Sequence, residues 1–227
     1  MLTKSEIIKH FEDKDIDEIG TRYLLDHIKR FKFLIKVLND IISEKNNQLK
    51  KVLIISPSFE LELIHKEFPD LILHSIGIRG IHLTGEHINY NLNEADISTL
   101  PPEVRNFDMV IMCEVIEHLA LSGKKVFEFI SHLIKKNGYL IIQTPNAKSL
   151  RYKVKKNIKH ERHKCVYAIE DIKNSAAATG FKLSKYYFRN YYTYPTIRCN
   201  LYNLGSIFLS PSLKEGMTGI LIMDKVK

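Results

Sequence analysis

The sequence has no apolar run that reaches the ~18 residues a membrane-spanning helix needs. Its start, MLTKSEIIKHFEDKD, carries charges throughout and lacks the apolar core of a secretory leader. Cysteine is scarce. Cys113, Cys165 and Cys199 are odd in number, widely spaced and form no CxxC pair, which argues against a disulfide framework and a zinc knuckle. A reducing cytoplasm is the expected setting. The chain also shows no internal repeat and no low-complexity linker that would divide it.

What is present is an ordinary globular composition, 44% apolar over 227 residues. That length predicts one core with a helical N-terminal extension, residues 1–48, followed by an α/β domain over residues 49–227. Ser5 is placed to cap a helix through Ile7, Ile8 and Phe11. From Thr21 the apolar residues Leu24, Leu25, Ile28, Phe31, Leu34, Ile35, Leu38, Ile41 and Ile42 recur at three and four, as on a helix packed against a sheet. The period then changes. Short apolar runs at 51–55, 71–76, 88–92, 107–113, 139–143, 183–188 and 219–223 read as strands. Helical patterns at 59–68, 124–134 and 169–179 lie between them. Such alternation predicts a doubly wound, mostly parallel sheet covered on both faces.

Ligands of open α/β sheets bind at the carboxyl ends of the strands, near the point where strand order reverses. Two segments stand at such ends. One is Phe107-Asp-Met-Val-Ile-Met-Cys-Glu114-Val-Ile-Glu117-His118-Leu119. The other is Leu133-Ile-Lys-Lys-Asn-Gly138-Tyr-Leu-Ile-Ile-Gln-Thr144-Pro145-Asn146. They resemble the FD-V-x-x-x-E-V-I-E-H-L and L-K-x-G-G-x-L-I-x-x-T-P-N segments of class I methyltransferases, which use S-adenosyl-L-methionine (SAM). The later stretch from His163 to Ile172, ending in Ala178-Thr-Gly180-Phe181, is similar to that family's H-x-x-x-Y-T-x-x-E-L…A-G-F segment. The resemblance spans about residues 50–190 and implies the Rossmann-like methyltransferase fold, SAM as cofactor and methyl transfer as activity.

The family's first strand normally ends in V-L-D-x-G-x-G-x-G, whose glycines let the backbone approach the methionine part of SAM. Here the stretch is Val52-Leu53-Ile54-Ile55-Ser56-Pro57-Ser58-Phe59-Glu60, without a glycine. After the second strand stand Gly77-Ile78-Arg79, with no acid for the ribose, and Asn91 occupies the place near the third strand where an aspartate often meets the adenine. The resemblance therefore assigns Ser56, Ser58, Glu60, Asn91 and Glu114 to the cofactor side, with weak or altered SAM binding expected.

Glu114, Glu117 and His118 have helical spacing, which would place them on one face with Cβ atoms ~5–6 Å apart. Two carboxylates and an imidazole suit a divalent cation such as Mg²⁺, Mn²⁺ or Fe²⁺. The same E-x-x-E-H pattern is similar to the metal site of small-RNA 2′-O-methyltransferases and of ubiquinone-pathway O-methyltransferases. The resemblance adds His163 as a fourth ligand, with His160 as the other choice. Without a metal, His118 or His163 suits a general base, Glu117 sharing the catalytic side. The competing reading is that these histidines only bond within the fold.

The formal charge is +8, concentrated between Lys148 and Lys164, where Lys148, Arg151, Lys153, Lys155, Lys156, Lys159, Arg162 and Lys164 face only Glu161. This segment reads either as a solvated loop or as a grip on phosphates. The aromatic run Tyr186, Tyr187, Phe188, Tyr191, Tyr192, Tyr194 reads as strand core, as a homodimer surface, or as a stacking platform for sugars or bases. The expected acceptor is a small molecule or glycan precursor bearing a hydroxyl. RNA is an alternative acceptor, and a methyltransferase-like binding domain without catalysis is the non-enzymatic alternative.

Overall fold

The computed structural model describes residues 3–12, 14, 16–78, 85–154, 163–191, 201, 204–205 and 210–224. Arg79, Lys155, Lys156, Lys159, His160, Glu161, Arg162, Tyr192, Tyr194 and Cys199 fall outside these residues.

Seven strands form one sheet: β1 (Lys51–Ile55), β2 (Ile72–Gly77), β3 (Glu86–Asn89), β4 (Phe107–Cys113), β5 (Ile134–Pro145), β6 (Phe181–Arg189) and β7 (Gly216–Met223). Their order is β3-β2-β1-β4-β5-β7-β6. Only β7 runs antiparallel to its neighbours, β5 and β6. Strand order reverses between β1 and β4, which pair in parallel from Val52 to Ile55.

The central strands are apolar without alternation because both faces are covered. On one face, Val52, Ile54, Met109, Ile111 and Ile141 pack against α1 (Lys4–Glu12), α2 (Glu18–Glu44) and α3 (Phe59–Glu67). On the other, Leu53, Ile55, Val110, Met112 and Leu140 pack against α4 (Gly123–Ser131) and α6 (Ile169–Ala177). The short α5 (Leu150–Val154) lies in the basic segment.

Several boundaries differ from the periodicity reading. The long helix starts at Glu18 rather than Thr21, because the Asp17 side chain accepts from the Gly20 amide and caps it. The fifth strand starts at Ile134, five residues early. Its pairing with β4 steps from Phe107–Ile134 to Met109–Tyr139, a register shift that leaves the polar stretch 135–138 bulged out of the ladder. Asp108 anchors the opposite end of the sheet from the binding loops. Its carboxylate accepts from the Lys50 and Lys51 amides at 2.8 Å each and pairs with Lys135. Burial works against its charge, but those donors outweigh it and hold the carboxyl below the usual range.

Candidate functional site: a cavity beside a histidine cluster

The carboxyl ends of β1 to β4 open onto a cavity of about 920 Å³. Its floor is Ser56, Pro57 and Phe59 after β1, Ile78 after β2, Asn91, Leu92 and Asn93 after β3, and Leu119 after β4. Asp17, Ile19, Gly20 and Tyr23, at the start of α2, line the rest of it. Of the residues read as the cofactor side, Ser56 and Asn91 line this cavity. Ser58, Glu60 and Glu114 do not.

Ser56 sits at φ +50°, in the left-handed region, and its amide donates to the Ile76 carbonyl at 2.7 Å. A non-glycine residue there costs on the order of 1 kcal/mol. The loop thus keeps the sharp turn that glycine would make without strain, and the space beside it is preserved by Gly77. A Cβ on Gly77 would lie 3.3 Å from the Ser56 Cα and from its Oγ. Glu60 is buried, with Oε2 accepting from the Ser58 hydroxyl at 2.5 Å.

After β4 the chain does not continue as an α-helix. Glu114 adopts φ +55°, and a single 3₁₀ turn covers Ile116–His118. The helical-face argument for Glu114 therefore fails, since a left-handed residue breaks the i, i+3, i+4 geometry. Glu117, His118 and His163 are brought together instead. One ligand atom from each lies within 4.8 Å of the others, and Glu114 stands outside that group. The Glu117 Oε1 is 3.9 Å from His118 Nε2, and the two histidine rings meet edge to face at 4.9 Å.

His163 is 45 positions after His118, and two backbone bonds return it. The Lys164 and Cys165 amides both donate to the Glu117 carbonyl, at 2.7 and 3.2 Å. Behind them, the Ala147 amide donates to the Tyr167 carbonyl. The Tyr152 hydroxyl stands 3.3 Å from His163 Nδ1. The Glu117 carboxyl is fully buried. Its Oε2 accepts from the Thr144 hydroxyl at 3.0 Å, and its Oε1 has no hydrogen-bond partner. Burial, and then the charge of Glu114, push its pKa up to about 8.

A scan against protein families matches a methyltransferase domain over residues 5–186. The chain belongs to the methyltransferase-domain family. No curated protein matches it in sequence. Among solved structures, a putative sarcosine dimethylglycine methyltransferase from Galdieria sulphuraria is similar, with 13% identity and a TM-score of 0.62, covering 88% of this chain and 87% of that one. An S-adenosylmethionine-dependent methyltransferase from Clostridium acetobutylicum shows 14% identity and a TM-score of 0.59, over 98% and 100% of the two chains. The magnesium protoporphyrin IX methyltransferase of Synechocystis, solved with bound S-adenosylhomocysteine (SAH), shows 12% identity and a TM-score of 0.58, over 94% and 91%. These likenesses carry the fold. The family match supports methyl transfer from SAM.

The cavity suits that donor. Apolar walls from Leu92, Leu119, Pro57 and Phe59 match a purine, while Asp17, Asn91 and Asn93 offer polar groups for hydroxyls and ring nitrogens. Asp17, Tyr23 and the other α2 residues were not found from sequence. The capping pattern Asp17-x-x-Gly20 is the local signal in the sequence that marks this helix start.

Proposed function

We propose that this methyltransferase acts on a hydroxyl group of a small acceptor, a sugar or glycan precursor, as an O-methyltransferase. The observation that carries the reading is the Glu117–His118–His163 cluster beside the cofactor cavity. Leu119, the next residue along, lines that cavity. An alcohol is a poor nucleophile until its proton is taken, and an imidazole that titrates near neutrality is suited to take it. His118, partly open to solvent, takes the acceptor proton, with the buried Glu117 carboxyl 3.9 Å from its Nε2. His163 joins the cluster from the segment after β5, its Nδ1 3.3 Å from the Tyr152 hydroxyl.

Two imidazoles and one carboxylate also form a donor set that first-row divalent cations accept. A cation held by Glu117, His118 and His163 would lower the pKa of a bound hydroxyl. Glu114 is outside that set. The test is methyl transfer from labelled SAM to a panel of sugars, nucleotide sugars and RNA, with and without a chelator. Transfer to sugar hydroxyls that His118→Ala lowers at least 100-fold supports the reading. Transfer to carbon or nitrogen acceptors alone refutes it. RNA as the sole acceptor would move the assignment to 2′-O-methylation. A wild-type chain that binds neither SAM nor SAH would instead be a binding module.

A further inference from the structure

Nearly all of the chain's net charge sits in one segment. Between Lys148 and Lys164 stand eight of the 34 Lys and Arg residues and one of the 26 Asp and Glu residues. Setting these aside leaves 26 basic against 25 acidic residues, so the rest of the chain is close to neutral. An ordinary solvated surface intersperses its lysines with acids, as at Lys36–Asp40 and Lys185–Glu44. A run of one sign repels itself and opposes compaction until an anion offsets it.

The structure fastens both ends of this segment beside the histidine cluster. At the first end Asn146 is fully buried. Its Nδ2 donates to the Ser212 and Lys214 carbonyls at 2.7 and 2.9 Å, and its Oδ1 accepts from the Lys148 amide at 3.0 Å. Ser149 is also fully buried, and its carbonyl accepts from the Lys153 amide in the turn that opens α5. Tyr152 of α5 reaches His163, and Arg151 and Lys153 stand about 100° to either side of it around the helix. At the other end, the Lys164 amide donates to the Glu117 carbonyl. Arg151, Lys153 and Lys164 are therefore next in sequence to Tyr152 and His163, the two side chains that meet at the cluster. Lys148 pairs with Glu170, and Arg151 lies 3.9 Å from the buried Glu215. Lys153 and Lys164 are exposed and have no carboxylate partner among the described residues.

Taking the Glu117–His118–His163 cluster as the site of methyl transfer, we propose that Arg151, Lys153 and Lys164 bind a diphosphate on the acceptor, which is a sugar carried on that group. Two ammonium groups supply point charges for the phosphate oxygens, and a guanidinium adds its planar fork of donors. The diphosphate holds the acceptor at the basic segment while the sugar hydroxyl reaches His118. Confinement of the charge favours a compact anion over a nucleic acid. RNA carries a phosphate at every nucleotide, and proteins that hold it line a track of cations along the strand. Outside this segment, basic residues outnumber acidic ones by one.

The test has two arms, both on the full chain. In the first, calorimetry measures the binding of inorganic pyrophosphate, with a chelator present so that no cation at the histidines can hold it. Lys153→Gln combined with Lys164→Gln should weaken binding about tenfold, a factor of about three for each exposed contact. Lys136→Gln combined with Lys182→Gln removes as much charge at the opposite end of the sheet and should leave binding unchanged. In the second arm, labelled SAM is supplied with a panel of free sugars, the same sugars on UDP, the same sugars on a polyprenyl diphosphate, and single-stranded RNA. Transfer to diphosphate-linked sugars, with KM about tenfold higher and kcat within twofold in the Lys153/Lys164 double variant, supports the assignment. The better of the two carriers distinguishes a nucleotide from a lipid. Added salt should raise the wild-type KM more than that of the double variant. Pyrophosphate that does not bind, or that binds equally to wild type and both double variants, overturns the diphosphate site. So does transfer to free sugars at the same KM as to their diphosphates, or to RNA alone. Pyrophosphate binding that depends on Lys153 and Lys164, without transfer to any hydroxyl, leaves the anion site standing and overturns the O-methyl reading beneath it.

Discussion

Replacing Glu117 with glutamine tests the electrostatics of the site without touching its shape. The carboxyl is buried, one oxygen accepts from Thr144, and Glu114 lies near enough to repel its charge. Its pKa rises from an ordinary 4.5 to about 8 in the folded protein. Between those pH values the folded state keeps a proton that the unfolded chain has lost. Unfolding free energy therefore falls as pH rises through this window, and the full stability is present only below about pH 4.5. Each pH unit corresponds to about 1.4 kcal/mol, which sets an upper limit of about 5 kcal/mol. Relaxation and water entry near a buried charge reduce this, so about 1–3 kcal/mol is expected. Glutamine mimics the neutral acid and pays no such cost. Glu117→Gln should match the wild type within about 1 kcal/mol at pH 5 and exceed it by about 1–3 kcal/mol at pH 8. The assay is urea unfolding followed by circular dichroism at pH 5, 6.5 and 8, with a chelator present so that no cation masks the charge. A stability difference that does not grow between pH 5 and pH 8 would refute the buried-acid argument.

Three further outcomes follow from the same geometry. His163→Ala should lower methyl transfer by about 10²–10⁴-fold, the range for a lost acid–base partner, and should lower bound metal together with it; equal metal content and equal activity in both proteins, measured by elemental analysis and label transfer, would remove His163 from the site. Gly216→Ala should destabilise by about 1–3 kcal/mol in thermal unfolding, because the new Cβ would lie 2.1 Å from the buried Tyr191 ring; an unchanged melting temperature would show that the ring has room to move. Asp108→Ala should cost about 2–4 kcal/mol without altering SAH affinity, because it strands two backbone amides and Lys135 at the end of the sheet away from the cavity. Loss of SAH binding in that variant, with the fold intact by circular dichroism, would contradict the separation of the two ends.

The strands were legible because each is a local apolar run whose length and flanks are written in consecutive residues. Lys51–Ile55 and Phe107–Cys113 have the expected bounds, and the parallel, doubly wound sheet followed from alternation alone. The association of Glu117, His118 and His163 was expected from a resemblance, but their proximity is decided by bonds between distant segments. The Lys164 and Cys165 amides reach back to the Glu117 carbonyl, and no local pattern encodes that pairing. The left-handed turn at Glu114 was illegible for a related reason. Spacing of three and four looks helical whether or not the backbone is, and here the hydrogen bond from the Glu114 amide to the Gln143 carbonyl holds the residue against the central strand β5. Arg30 shows the limit most plainly. Tyr23, His27, Arg30 and Leu34 occupy one helical face, so the charge inside an apolar stripe was visible from the sequence. That it lies wholly buried, bonded to Tyr23 in the cavity wall, was decided only when α2 and α3 packed on the same face of the sheet, because burial belongs to the packed layers and not to either helix alone.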